Sequence, residues 1–283
     1  AALPGGRQAL SGSWDNTLRL WDLVSGDSRV LAGHSKSVTY LALLPDGKQA
    51  LSGSEDGTLR LWNLETGQSR VFAGHSGRVT SLALLPGGKR ALSGAQGHIL
   101  RLWNLETGES HIFIARDWAA ADTRLIVLPD GRQALSGAEV GDHVLRLWNL
   151  DSGPARLLEH HSLPISCLAV LPEKNQVLSA SWDSTIRQWD MQTGQSRVLE
   201  GHTEYVTCLA VAPGGKQALS GAWDKTLRLW DLVSGESRVL EGHTEYVTCL
   251  AVLPDGKQAL SGARDKTLRL WDLESGESRV LEG

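Results

Sequence analysis

Apolar positions along this chain come in short blocks of four to eight residues, separated by turn-forming residues. Toward the C-terminus, VTCLAVLP (247–254) is one block, and it closes on Pro254. KQALSGA (257–263) is the next, and Asp255-Gly256 between them is a tight-turn signal. TLRLWDL (267–273) follows the turn Arg264-Asp265-Lys266, and SRVLEG (278–283) follows Glu274-Ser275-Gly276-Glu277. Each block is of strand length, and no segment carries a helical period of useful extent. Four short strands joined by tight turns are expected here, and the fold class is all-β.

The same four blocks recur. Trp followed by Asp or Asn stands at Trp21, Trp62, Trp103, Trp148, Trp189, Trp230 and Trp271, with spacings of 41, 41, 45, 41, 41 and 41. Seven four-stranded units of about this length fit a seven-bladed β-propeller. Units 200–240 and 241–281 differ at four positions only, as expected of a recent internal duplication. Aligning Ala1-Ala2-Leu3-Pro4 with Ala251 to Pro254 leaves the first unit without a counterpart of His243 to Leu250. The chain is therefore expected to be one propeller domain, residues 1–283, of a longer polypeptide that supplies the missing strand. Without that strand, the first unit is the place where another chain would pair; otherwise a monomer is expected.

Composition narrows the function classes. The chain has 283 residues and a formal net charge of −4, from 28 basic and 32 acidic residues. That balance argues against a nucleic-acid binder dominated by phosphate contacts. No apolar run approaches the roughly 20 residues of a membrane helix. Eleven Trp stand against 2 Phe and 3 Tyr, so Trp serves as a repeated part. Cys167, Cys208 and Cys249 are spaced by 41 and occupy one equivalent position in three units. They read as small buried strand residues and not as a metal or redox site, and their scarcity suggests a reducing, cytoplasmic compartment.

Gly-His at 33–34, 74–75, 201–202 and 242–243, each followed about 28 residues later by Trp-Asp or Trp-Asn, resembles the WD40 repeat. The resemblance covers essentially the whole chain, and such regular arrays are similar to bacterial WD40 domains. It implies a hydrogen-bonded tetrad of His, Ser, Asp and Trp in each regular blade. The matching residues are His34, Ser52, Asp56 and Trp62 in blade 2, and His161, Ser179, Asp183 and Trp189 in blade 5. They continue as His202, Ser220, Asp224 and Trp230 in blade 6, and His243, Ser261, Asp265 and Trp271 in blade 7. Ser, His and Asp also make up a hydrolase triad, but no enzyme needs one triad around a whole ring. The tetrads are expected to be structural. Blade 3 has Gly97 at the Asp position, and blade 4 has Arg116 at the His position together with four extra residues.

Two further motifs are assigned to the scaffold. The PGGK segments at 86–89 and 213–216 are hairpin turns without the spacing of a phosphate loop. Arginines two residues before each repeat Trp (Arg19, Arg60, Arg101, Arg146, Arg187, Arg228 and Arg269) are too regular for a specific anion site. The inner strands carry almost no carboxylates, with Asp122 the one exception, so no catalytic constellation, cofactor or metal is expected.

One position breaks the regularity. The residue before the tetrad Asp is Trp14, Glu55, Gln96, Gly141, Trp182, Trp223 and Arg264 in turn. A second variable position, three residues after the tetrad His, holds Ser37, Arg78, Pro164, Tyr205 and Tyr246 and is expected to be exposed on the same face. A constant scaffold does not require such variety, whereas aromatic and Arg anchors are typical of interfaces. WD40 relatives commonly contact partners at these positions. Trp14, Trp182, Tyr205, Trp223, Tyr246 and Arg264 are therefore the expected partner-binding residues of a non-enzymatic scaffold that binds proteins or peptides. Removing these aromatics is expected to leave the melting temperature nearly unchanged. Recognition of a small molecule or glycan in an aromatic cleft is the alternative, and the blade 4 segment around Trp118 is the next candidate surface.

Overall fold

A computed structural model describes residues 1–96, 99–114, 123–138, 143–153, 155–158, 161–171 and 175–281. The described residues form strands and turns without a helix, and the strands assemble into seven antiparallel sheets. Six sheets have four strands each, paired in chain order, and the first has three. In blade 6 the strands are Val206–Val211, Gln217–Ala222, Leu227–Asp231 and Ser237–Leu240. Blade 7 repeats them as Val247–Val252, Gln258–Ala263, Leu268–Asp272 and Ser278–Leu281. Blade 1 runs Gln8–Gly12, Thr17–Asp22 and Ser28–Ala32, with only an Ala2–Ala9 bridge where its first strand would pair. Four strands per unit and seven sheets are the fold class expected of a seven-bladed propeller.

The chain divides into two compact units, residues 1–142 with 146–156, and residues 143–145 with 157–283. Within each, the core lies between neighbouring blades. Leu219, Leu227 and Leu240 of blade 6 pack with Val247, Ala259 and Trp271 of blade 7. Leu178, Ile186 and Leu199 of blade 5 pack in the same way with Val206, Ala218 and Trp230 of blade 6. A single sheet cannot bury both its faces, so each blade is stable only against the next.

Two polar devices reinforce these seams, and neither stood out in the sequence. The first is a bulge near the start of each regular inner strand, where the register shifts between Val206 and Cys208 and between Val247 and Cys249. The residue in the bulge turns its hydroxyl across the seam. Thr207 Oγ1 lies 3.0 Å from the Gly221 carbonyl of its own blade and 2.6 Å from the Val247 carbonyl of the next. Thr39 makes the same bridge from Gly53 to Val79, and Ser166 from Ala180 to Val206.

The second device is an arginine on the outer strand. Arg238 Nη1 and Nη2 donate to the Glu274 and Leu273 carbonyls of the next blade at 2.9 and 2.5 Å. Arg197 clamps Val233 and Leu232, Arg70 clamps Glu106 and Thr107, and Arg29 clamps Glu65 and Leu64. The planar guanidinium suits this double acceptor, and the point charge of lysine does not. Arg238→Lys is expected to lower stability by about 1–2 kcal/mol in denaturant unfolding, against no change for the neighbouring Ser237→Thr.

The cysteines need a correction. Cys208 is buried, Cys167 is half-buried and Cys249 is exposed, and all three are free thiols. Leu268 of the same blade is likewise 52% exposed, while its counterpart Leu227 in blade 6 is fully buried. Burial pushes the Cys208 thiol up to about 12, which makes it a poor nucleophile.

Candidate functional site

Each regular blade carries one continuous polar chain through its interior. In blade 6, Trp230 Nε1–H donates to Ser220 Oγ at 2.8 Å, and Ser220 Oγ lies 2.7 Å from His202 Nε2. His202 Nδ1 lies 2.7 Å from Asp224 Oδ2. Asp224 also accepts the Thr203 N–H at 3.2 Å, and the Thr226 N–H and hydroxyl at 3.0 and 2.7 Å. The carboxylate only accepts, so the neutral imidazole carries its proton on Nδ1. Nε2 then accepts the Ser hydroxyl proton, and the Ser oxygen accepts the indole N–H.

The same contacts join His34, Ser52, Asp56 and Trp62, with ring-to-serine and ring-to-carboxylate distances of 2.8 and 2.9 Å. His161, Ser179, Asp183 and Trp189 are joined at 2.7 and 2.8 Å, as are His243, Ser261, Asp265 and Trp271. The serines Ser52, Ser179, Ser220 and Ser261 are at most 1% exposed, so no substrate carbonyl reaches their oxygens. A nucleophilic reading is closed by access as well as by multiplicity.

Burial alone would push the Asp56 carboxyl up. Hydrogen bonds from Thr58, the Ser35 N–H and His34 outweigh it and hold the group at about 2. Asp183, Asp224 and Asp265 sit well below the usual carboxylate range by the same balance. The irregular blades keep fragments. In blade 3, His75 Nε2 meets Ser93 Oγ at 2.7 Å and Trp103 Nε1–H donates to the same oxygen, but His75 Nδ1 is buried without a partner. Burial and the Arg101 charge lower His75 to about 4. In blade 1, Trp21 donates to Ser11, and in blade 4, Trp148 donates to Ser136. Gly97, Arg116, Trp118, Asp122, Gly141 and Asp142 lie outside the described residues.

The arginines before each Trp are built into the scaffold. Arg228 Nη1 donates to Ser237 Oγ at 2.9 Å, and Arg60, Arg101, Arg187 and Arg269 repeat the bond at 2.9–3.0 Å. A Cβ on Gly201 would fall 2.6 Å from Arg228 Nη1, so this close approach explains the Gly of the Gly-His pair. The Asp or Asn after Trp also has a local task. Asp231 Oδ1 accepts the N–H groups of Val233 and Ser234 and folds the following turn.

The two variable positions meet on every described blade that carries both. The N–H of Trp223 donates to the Tyr205 carbonyl at 2.9 Å, that of Arg264 to Tyr246 at 2.9 Å, and that of Trp182 to Pro164 at 3.0 Å. Glu55 bonds Ser37 and Gln96 bonds Arg78 in the same way. Ser37, Arg78, Pro164, Tyr205 and Tyr246 are half-buried, not exposed as the sequence suggested, because each lies under its turn partner.

In the second unit these positions form a column of rings across three blades. Trp182 stacks on Tyr205 with centroids 5.3 Å apart and planes 8° from parallel. Tyr205 meets Trp223 at 4.9 Å and 41°, and Trp223 stacks on Tyr246 at 4.7 Å and 10°. Trp182 is half-buried and Trp223 is 38% exposed. The indole N–H and phenol O–H groups of the column have no hydrogen-bond partner among the described residues. Arg264 stands exposed beside Tyr246, at the blade 7 end. Trp14, in the other unit, is 87% exposed.

Four concave features lie along the seams. Clefts of about 610 and 650 Å³ contain the clamping Arg29 and Arg70, and two more contain Arg238 and Arg197. No group of three or more His, Cys, Asp or Glu side chains converges among the described residues. Among them, too, no helix is long and apolar enough to cross a membrane.

The family model described as WD domain, G-beta repeat matches residues 1–22, 26–63, 67–104, 153–190, 194–231 and 235–272. The gap at 105–152 takes in most of the unit that holds the four extra residues. No curated protein matches the chain. Six repeat matches over most of the chain, with the His-Ser-Trp and carboxylate chains inside the blades, place it: the protein belongs to the WD40-repeat family.

Proposed function

We propose that this domain is a non-catalytic interaction module that binds partner proteins over the column Trp182, Tyr205, Trp223 and Tyr246, with Arg264 at its end. WD40 repeats generally mediate protein–protein interaction, and the exposed edges of the column support that role here. The observation that carries the reading is the column itself. Aromatic rings spanning three blades, with free N–H and O–H edges, supply rigid apolar contact area together with directional donors. Trp14, in the other unit, is proposed as a separate contact residue by its exposure. Neither a cofactor nor catalysis enters this reading, and the partner class is protein or peptide.

The glycan alternative gains no support from the geometry. Sugars stack on ring faces, and Tyr205 and Trp223 each have a neighbouring ring on both sides. These two rings offer edges, not faces, to a ligand.

The combined variant Trp182→Ala, Trp223→Ala, Tyr246→Ala tests the proposal. Binding of the native partner, captured from its own host and quantified by titration, is expected to weaken at least about 100-fold, since such anchors carry about 2 kcal/mol or more each. Glu55→Ala with Gln96→Ala is expected to change it less than about threefold. Because the rings stack on one another, the melting temperature is expected to fall, where the sequence alone suggested little change. Each truncation is expected to cost about 1 kcal/mol. Circular dichroism of the folded variant separates the two losses, and undiminished binding by a folded triple variant rejects the site.

A further inference from the structure

The turn beside the column contains two lysines in a conformation that lysine does not favour. Lys225 and Lys266, directly after the tetrad Asp, have φ of 71° and 66°. The same turn in blade 2 uses Gly57 at 79°, and in blade 1 it uses Asn16 at 72°. Gly and Asn enter the left-handed region readily, whereas a lysine there is strained by its Cβ. Ser184 holds the same place in blade 5 at 68°, so the turn also forms with an uncharged side chain and the fold does not ask for lysine. The lysines thus add positive charge beside the column that the turn itself does not need.

The charges along the column are unevenly satisfied. Lys225 Nζ lies 3.8 Å from Glu245 Oε1, so that acid is already matched. Arg264 and Lys266 are exposed at the Tyr246 end, and their side chains have no protein partner among the described residues. Glu204 stands exposed near the other end, beside Tyr205, where blade 5 offers Ser184 in place of a lysine. The column thus has a cationic end and an acidic end, and its edges offer indole N–H donors and phenol hydroxyls in between. Ring edges carry positive quadrupole charge, which also favours electron-rich groups.

We propose that the blade 7 end of the column is the docking point for an acidic peptide segment of a partner protein, with Arg264 and Lys266 receiving its carboxylates. This rests on the reading of the column as the interaction surface. The polarity sets the direction: acidic residues lie over blade 7, and apolar side chains run along the ring edges toward Trp182. A long polyanion fits less well, because the cations are confined to one end and Glu204 opposes it at the other.

The probe is a fluorescein-labelled peptide of sequence Gly-Asp-Glu-Leu-Asp-Glu-Leu-Gly, titrated at low salt and followed by anisotropy. Its amide counterpart, with Asn and Gln replacing Asp and Glu, and a labelled single-stranded oligonucleotide are titrated in parallel. The acidic peptide is expected to bind at least tenfold more tightly than the amide peptide. It is expected to lose at least tenfold on Arg264→Glu with Lys266→Gly, and to weaken steeply with salt. Lys266→Gly alone is expected to raise the melting temperature by about 2–4 °C as the strain is relieved. Equal binding of the two peptides, no response to the double variant, no binding up to about 1 mM, or equal and equally sensitive binding of the oligonucleotide each overturns the proposal. A melting temperature that does not rise with Lys266→Gly overturns the claim that the lysine is kept at a cost. Trp223→Ala keeps the two readings apart: if it weakens both peptides equally, the column remains the surface and only the acidic preference falls.

Discussion

Ser220→Ala is expected to destabilise the domain by roughly 2–5 kcal/mol, more than either Asp224→Ala or His202→Gln. Ser220 Oγ serves two side chains at once, accepting from Trp230 Nε1 and donating to His202 Nε2, as its counterparts do in the other tetrads. It is fully buried, so water cannot take its place. Removing it leaves two buried polar groups unsatisfied, each worth about 1–3 kcal/mol, and no cavity large enough to hold a water. Asp224→Ala is expected to cost about 1–3 kcal/mol, because the half-exposed turn lets solvent reach His202 Nδ1. The internal control is Ser11→Ala in blade 1. Ser11 also accepts an indole N–H, at 2.8 Å from Trp21, but it is exposed, so its loss is expected to cost under about 1 kcal/mol. Urea unfolding of the four variants ranks them. A Ser220→Ala protein within about 0.5 kcal/mol of the parent would mean that the serine does not hold the tetrad together.

Acidification should unfold the domain in two steps. His75 is held at about 4 in the folded protein and titrates near 6.5 in the unfolded chain. Its neutral form is the one the fold accommodates. Its contribution is therefore fully present above pH 6.5 and is lost as the pH falls toward 4, by about 3 kcal/mol in all. Burial lowers His34 in the same direction, although Asp56 opposes the shift. The carboxylates act in a lower window. The Asp56 group drops from 3.8 to about 2 on folding, so its stabilisation is complete above pH 3.8 and is lost as the pH falls through about 2. Asp183, Asp224 and Asp265 add to the same lower step. Unfolding free energy measured against pH should show both slopes. His75→Gln should flatten the upper one and leave the lower one intact. A profile flat from pH 6.5 to 4.5 in the parent protein would contradict this assignment.

The repeat was legible because the spacing of Trp and the strand-length apolar blocks follow from backbone geometry, which is local. The tetrads were legible because His202, Ser220, Asp224 and Trp230 recur together at fixed offsets, and a network of four side chains tolerates no drift in those offsets. The clamping Arg238 recurs just as regularly, yet it went unread. Its acceptors are main-chain carbonyls of the next blade, and carbonyls leave no mark in a sequence. Thr207 was missed for the same reason, since both of its acceptors are backbone oxygens. The ring column was half legible. The sequence identified Trp182, Tyr205, Trp223 and Tyr246 as variable and aromatic. Whether they would stand apart or stack depended on the hydrogen bond that sets each turn over its neighbour, and that bond is again between main-chain atoms. The strained φ of Lys225 and Lys266 had no signal of its own beyond Gly57 and Asn16 at the matching positions.

The clamp and the hydroxyl bridge share a property that bears on how such a chain grows. In each, one 41-residue unit holds the donor and the next holds only backbone acceptors. A gene segment copied in frame therefore carries a plug at one end and a socket at the other, and the socket needs no particular side chain. The duplicate can fit its neighbours before any compensating substitution has occurred. The two units at 200–240 and 241–281, four letters apart, have the form of such a copy. Of those four letters, Trp223 against Arg264 alone alters the face where the rings stack, so the copy kept its joints and changed its ligand chemistry.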